Sequence, residues 1–439
     1  MIKVRLPAAL LAAGTTLVAA ACSATPGSSS SNEGPKTIST TLSSEPVTLT
    51  LATSGTTGME QKLVEGFKKK HPNVTVKIRQ TASGADYDKS INLQLASGTG
   101  PDIALLNQIG ETVKAKLVLD LGRYSDAYKW ESSFASTVLD QFRVSEDGRT
   151  FGTGSLYALP SGGSLVGVYY NKKLGAKIGM TAPPRSLGEF EAALGKAKAA
   201  GVLPIQLGNL EGHASFIVQA IADQVDSPAT VNAWAYGKPG SKFDSPGTRQ
   251  GLAKLKEWTG KGYIPSGANG ADLPKAVAEF AGGEGLFLFD GNWDAATLDK
   301  KLGADVGFFT LPPVKAGGKG AATGSGFAFA VSAKSKHPDA AAAFLDYFRG
   351  PEASRAQFES GVLPVDTKAV QPVKGRVVSD VVAAYDKVIK DDGLVAYYNN
   401  AAPGVQPALT SNLQSLIGGK TSPDAVITAV QAAWTKFHS

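Results

Sequence analysis

The stretch that most constrains this chain runs from Phe280 to Asp294. Within it, Leu286, Phe287, Leu288 and Phe289 form an unbroken apolar run, which stops abruptly at Asp290, Gly291, Asn292, Trp293 and Asp294. A short run without polar alternation is how a strand buried on both faces of a parallel sheet reads. In open α/β sheets, ligands sit just beyond the carboxyl ends of strands. The stretch therefore puts an indole, two carboxylates and an amide where a ligand would be. A flat apolar face ringed by hydrogen-bonding groups suits a sugar ring, which is apolar on its face and hydroxylated at its rim. The same residues also read as a strand end whose Trp293 covers the core.

The rest of the body alternates strands and helices. Val47, Leu49 and Leu51 alternate with threonines, which predicts a strand. Met59, Leu63, Val64 and Phe67 share a helical face, Pro72 ends that element, and Val74, Val76 and Ile78 predict the next strand. Such a unit implies a right-handed crossover in a parallel sheet. A helix from Asp86 to Ser97, stopped by Gly98, leads to a buried strand over 103–106 and then Asn107. Further strands are expected at Leu165–Asn171, Val202–Leu207 and Phe327–Val331. Ser186 and Glu189 form a capping box. Val202–Leu207 ends in Gly208-Asn209-Leu210-Glu211-Gly212-His213, a second polar strand end. Trp258 and Trp434 fall on apolar helix faces and read as core; Trp130 and Trp234 are left open between core, surface and ligand.

The beginning of the chain speaks to compartment. Lys3 and Arg5 precede a short, small-residue apolar segment, Leu6–Ala21, and then Cys22, the single cysteine. This is the pattern of a secretory signal. The segment is too short for a spanning helix, and one cysteine allows no internal disulfide. From Ser23 to Pro46 the chain is rich in Ser, Thr, Gly and Pro, which predicts a flexible tether.

From Cys22 onward the 44 basic residues lose Lys3 and Arg5, leaving 42 against 38 acidic ones, with no cluster of the kind nucleic acid needs. Lys68-Lys69-Lys70 closes a helix, where cations favour the negative end of the dipole. The Gly-rich turn Ser54–Gly58 lacks the ending and spacing of a nucleotide loop. Four scattered histidines make no metal-binding pattern. No cofactor is implied. A body of about 390 residues exceeds what one core serves, so at least two lobes are expected.

Several motifs, in order, carry a resemblance over nearly the whole mature chain. They are Phe67 to Val74, Leu95-Ala96-Ser97-Gly98-Thr99-Gly100-Pro101-Asp102-Ile103, Leu159-Pro160, Tyr169-Tyr170-Asn171-Lys172, Gly285 to Trp293, Phe327 to Pro338, Gly361-Val362-Leu363-Pro364 and Gly419 to Pro423. On these residues the chain resembles the extracellular solute-binding proteins of carbohydrate-uptake ABC transporters, the group that includes maltose-binding protein. The resemblance implies a two-lobed periplasmic-binding-protein-like α/β fold. Each lobe is then a mostly parallel sheet flanked by helices, with the ligand cleft between lobes. The implied organisation is a signal peptide (1–21), a lipidated Cys and tether (22–46), an N-terminal lobe (47–162 plus 324–364) and a C-terminal lobe (163–323 plus 365–439). Ala19-Ala20-Ala21-Cys22 resembles a lipoprotein signal, which implies lipidation at Cys22 and attachment to the outer face of the cell membrane.

The same resemblance implies a mono- or oligosaccharide ligand, ABC permease subunits as partners, a monomer, no nucleic acid and no enzymatic activity. Asp102 matches a carboxylate that accepts sugar hydroxyls, and Trp293 an aromatic that stacks on a pyranose ring. Glu211 looks like the carboxylate of the corresponding second-lobe loop, and Ser54 and Thr57 fall in the first-strand loop. Asn107, His213, Asp290, Asn292, Asp294, Ser325 and Tyr398 are expected ligand neighbours by position. The alternative is a secreted glycoside hydrolase, which also needs a cleft, aromatics and paired carboxylates.

Overall fold

The computed structural model describes residues 37–54, 58–80 and 85–439. Cys22 and Thr57, both singled out above, lie outside the described residues. Eleven strands are described: β1 (Val47–Thr53), β2 (Val74–Gln80), β3 (Ile103–Leu105), β4 (Arg143–Val144), β5 (Ser155–Leu156), β6 (Leu159–Asn171), β7 (Ile205–Gln206), β8 (Phe287–Gly291), β9 (Val306–Phe309), β10 (Ala322–Val331) and β11 (Leu394–Val395).

Nine of them join in one sheet of order β2-β1-β3-β10-β6-β8-β7, with β9 on β6 and β11 on β10. The predicted unit at its start is present: β1 pairs β2 and β3 in parallel around the helix Met59–Lys70, whose inward face is Met59, Leu63, Val64 and Phe67. At the other end β7 and β8 are parallel, while β6 runs antiparallel to β8 and β9. Phe287, Leu288 and Phe289 are buried, as the apolar run requires.

β6 and β10 are long because they serve both lobes. Leu159 packs in a first core made of residues from Leu49 to Leu159 and from Ala328 to Val362; Leu165 packs in a different core. Likewise Ala328 belongs to the first core and Ala322 to another. A third crossing lies between Val362 and Leu363, neighbours in sequence that pack in different cores. The two antiparallel strands come so close at the crossing that a side chain on Gly326 would put its Cβ 2.3 Å from Pro160. Two α/β lobes thus share one sheet, with a cleft where the strands cross.

The tether expectation needs correcting over its described part. Ile38 and Leu42 pack against the first core, and Asn73 Nδ2 donates to the carbonyls of Ser43 at 2.7 Å and Glu45 at 3.1 Å. Two apolar side chains in a Ser/Thr-rich segment are enough to dock it. The four open or core-assigned tryptophans Trp130, Trp234, Trp258 and Trp434 are all buried, each indole N–H donating to a protein oxygen.

Candidate ligand cleft

A cleft of about 250 Å³ lies over the crossing strands. The first lobe supplies Asn107 and Gln108, which follow the carboxyl end of β3, together with Gln141. The floor is Ser164 of β6 and Ser325 to Ala328 of β10. The second lobe supplies Phe216, Trp293, Tyr397 and Asn399.

Trp293 is half-buried, and its ring meets Phe216 at 5.9 Å between centroids. Phe216 in turn lies 6.4 Å from Tyr397. The three rings make a continuous apolar wall along the cleft. The seat of the indole is Gly291: any Cβ there would fall 2.1 Å from the six-membered ring. Only glycine lets the ring lie against the strand end. Opposite, Tyr397 Oη and Ser164 Oγ share a hydrogen bond of 3.0 Å, and Ser164 Oγ donates to Ser325 O at 3.1 Å. This hydroxyl chain ties the aromatic wall to both crossing strands.

Of the expected ligand neighbours, Asn107, Trp293 and Ser325 line the cleft. The others are placed differently, each for its own reason. Asp102 precedes β3, and β3 runs toward the cleft, so Asp102 lies at the far end of the strand. At about 3.3 Å per residue, roughly 15 Å of chain separates it from Asn107. Its carboxylate accepts from Thr50 N–H at 2.9 Å, Thr50 Oγ1 at 3.0 Å and Ser335 Oγ at 2.7 Å. It fastens three strands at their back edge. Ser54 follows β1 and is half-buried, but it is not among the cleft residues.

Glu211 and His213 face each other at 3.5 Å. They precede the helix Ala214–Val225, and it is Phe216, at the start of that helix, that reaches the cleft. Burial pushes the His213 imidazole down, and the Glu211 carboxylate opposes this. Tyr398 is core: its ring stands 5.3 Å from both Trp234 and Phe243. Its neighbour Tyr397 points the other way, into the cleft.

The polar strand end divides in the same manner. Asn292 is fully buried; its Oδ1 accepts from Leu165 N–H at 2.7 Å and its Nδ2 donates to Gly163 O at 3.1 Å. It staples the turn to β6. Asp290 is fully buried, and its Oδ1 accepts Gly291 N–H at 2.7 Å. Burial holds its carboxyl well above the usual carboxylate range, and the charge of Asp294 adds to this; burial raises Asp294 as well. Neither carboxyl lines the cleft.

Sequence reasoning passed over the cleft residues Gln108, Gln141, Phe216, Tyr236, Tyr397 and Asn399. Gln108 was reachable, since it continues the strand end from Asn107. Phe216 and Gln141 carry no local signal, because one opens an apolar helix and the other sits in a single helical turn. Among the described residues, no three His, Cys, Asp or Glu side chains come together to hold a metal ion. No described helix is long and apolar enough to cross a membrane.

Comparison with known proteins fits this geometry. A family model described as bacterial extracellular solute-binding protein matches residues 62–391. The multiple sugar-binding protein of Streptococcus mutans is 23% identical over 322 residues, covering 72% of this chain and 73% of that protein. Among solved structures, a chitin oligosaccharide binding protein is similar with a TM-score of 0.72 at 24% identity, over 90% of this chain and 99% of that one. A probable secreted solute-binding lipoprotein from Streptomyces coelicolor gives 0.69 at 18% identity, over 90% and 100%. At these identities the structural likeness carries the fold, and it is the family model, spanning most of the described chain, that carries membership. The chain belongs to the bacterial extracellular solute-binding protein family.

Proposed function

We propose that this protein is an extracellular receptor for a neutral saccharide, an oligosaccharide in preference to a single sugar, which it delivers to an ABC importer. The observation that carries the reading is the composition of the cleft wall. Trp293, Phe216 and Tyr397 offer apolar ring faces, and Asn107, Gln108, Gln141 and Asn399 offer amides beside them. Among the described residues of the wall there is no Asp, Glu, Lys, Arg or His. Rings stack on the apolar faces of pyranoses, and amides both donate to and accept from hydroxyls. A cleft without charges favours an uncharged ligand, since an ion entering it would shed water and find no partner. The curated and solved relatives named as sugar or oligosaccharide binders support the same class. A glycoside hydrolase needs an acid and a base flanking the scissile bond. The described wall supplies no carboxyl for either part, which favours binding over turnover.

Two further parts of the reading concern attachment and motion. Cys22 bears a lipid that holds the body at the outer face of the membrane, as its signal-like surroundings suggest. The lobes, 47–162 with 324–364 and 163–323 with 365–439, close as bodies around a ligand that touches both, so ligand shifts the population toward the closed form. The importer's permease subunits receive the closed monomer.

Thermal-shift screening against mono- and oligosaccharides tests the ligand class, because a ligand that binds only the folded protein raises its melting temperature. Stabilisation by neutral oligosaccharides, with none by uronic-acid or amino-sugar counterparts, is expected. Release of reducing sugar during the incubation would overturn the binding reading. Mass spectrometry of the mature protein should find a diacylated Cys22 at its amino terminus.

A further inference from the structure

We propose that Asp290 is protonated in the folded protein and donates to the Asp294 carboxylate, and that this clasp sets the turn that presents Trp293 to the cleft. Asp290 is then a positioning residue that never touches the ligand.

The turn is held residue by residue. Gly291 leaves the seat for the indole, with room for no side chain. Asn292 is bonded through both ends of its amide to β6. Asp290 and Asp294 bracket the turn from either side, across the single helical turn Asn292–Asp294. Asp290 is completely buried, one oxygen takes Gly291 N–H, and the other is buried with no hydrogen-bond donor in good geometry. Among the described residues, no Lys, Arg or His pairs with it. The side chains that reach its carboxyl are those of Asp294 and Trp293.

Around this pair the other ionisable groups are Tyr169 of β6, Tyr397, and Asp299. Tyr169 Oη already donates to Gly291 O at 2.9 Å, and Asp299 is paired with Arg376 at 2.6 Å. Neither supplies a countercharge. Two carboxylates so placed cannot both ionise, and one shared proton turns their repulsion into a short, strong O–H···O⁻ bond. The more deeply buried member keeps the proton, which makes Asp290 the donor and Asp294 the acceptor. The Trp293 indole reaches the same carboxyl, so the clasp and the ring are set together.

The test uses Asp290→Asn, Asp290→Ala and Asp294→Ala in the full chain. Asparagine keeps the shape, still accepts Gly291 N–H and donates an amide N–H to Asp294; it copies the protonated acid. The other four tryptophans are buried. Acrylamide quenching, read as the difference from Trp293→Phe, therefore reports the Trp293 indole in the ligand-free protein. D290N is expected to quench like the parent, whereas D290A and D294A quench more strongly. In an Asp223→Asn background, which removes the other carboxyl that burial keeps protonated, the protein should show a protonated-carboxyl infrared band at neutral pH that is lost when Asp290→Asn is added. With an oligosaccharide that the parent binds, D290A should bind about tenfold more weakly, the equivalent of one lost aromatic stacking contribution, and D290N should bind normally. Only this last readout rests on the saccharide reading; the quenching and infrared arms stand without any ligand. Parent-like quenching in D290A, or an infrared band unchanged when Asp290→Asn is added to that background, would overturn the proposal.

Discussion

Two strand ends in this protein look alike as sequence and do opposite things. Pro101-Asp102-Ile103 and Phe289-Asp290-Gly291 each set an aspartate against a buried strand. Asp102 stands at the amino end of β3, away from the cleft, with three donors on its carboxylate. Asp290 stands at the carboxyl end of β8, beside the cleft, with one strong donor and an acidic neighbour. The first is a fully bonded fastener that no ligand needs. In the reading proposed above, the second supports the aromatic ring that a ligand would meet. What separates them is the direction of the strand, together with the number of donors that the surrounding fold delivers.

The contrast between well-bonded and poorly bonded carboxyls is put to its hardest test at Asp223. Thr323 Oγ1 donates to one of its oxygens at 2.8 Å, and the other oxygen is buried without a partner. Burial pushes its pKa up to about 8. The folded protein therefore holds this proton in a range where the unfolded chain has lost it. The stability contributed is full in acid and lost as pH rises from the usual carboxylate range through about 8. The linkage is bounded by roughly 6 kcal/mol, about 4 pKa units at about 1.4 kcal/mol each. Asp223→Asn should flatten the fall in melting temperature between mildly acidic and mildly alkaline buffers. A slope unchanged in that variant would place the proton elsewhere.

Truncation at each strand end should then separate binding from stability. Trp293→Ala is expected to weaken oligosaccharide binding by about 3 kcal/mol, roughly a hundredfold, with little change in the melting curve of the free protein. Asp102→Ala should do the reverse. It orphans Thr50 N–H and two hydroxyls, which costs about 2 kcal/mol of stability while leaving affinity alone. Calorimetric titration beside thermal melts of both variants measures the exchange. Equal loss of affinity in the two would erase the distinction drawn between them.

The smallest effect concerns neighbouring tyrosines. Tyr397→Phe removes the hydroxyl shared with Ser164 at the cleft floor and should weaken binding by about 1 kcal/mol. Tyr398→Phe removes a hydroxyl 3.5 Å from Thr248, in the core, and should leave affinity unchanged. A larger loss from the second variant would mean that Tyr398 shapes the cleft from behind.

Much of this fold is legible in the chain because its signals are local. Alternation at Val47–Leu51, the helical face from Met59 to Phe67 and the apolar run Leu286–Phe289 each need only a few neighbouring residues to be read, and all three elements are present. The abrupt change at Asp290 marks a strand end beside the cleft for the same reason. Trp293, Asn107 and Ser325 were within reach because each follows or sits on such a strand.

The remainder depends on partners far away in sequence. Asp102 reads as a ligand group from its motif, but Thr50 and Ser335, brought up by β1 and by the segment after β10, place three donors on its carboxylate. Asn292 was placed correctly at the strand end, yet β6 takes both ends of its amide. Tyr397 and Tyr398 are adjacent, and nothing local says which one faces Trp234 and which one faces Ser164. The chain by itself determined the strands and helices with a strong local pattern and the polar ends where a ligand could sit. Which polar groups stay free to meet that ligand was decided only by the tertiary structure, because a hydrogen bond already made to a distant strand is one that no ligand can share.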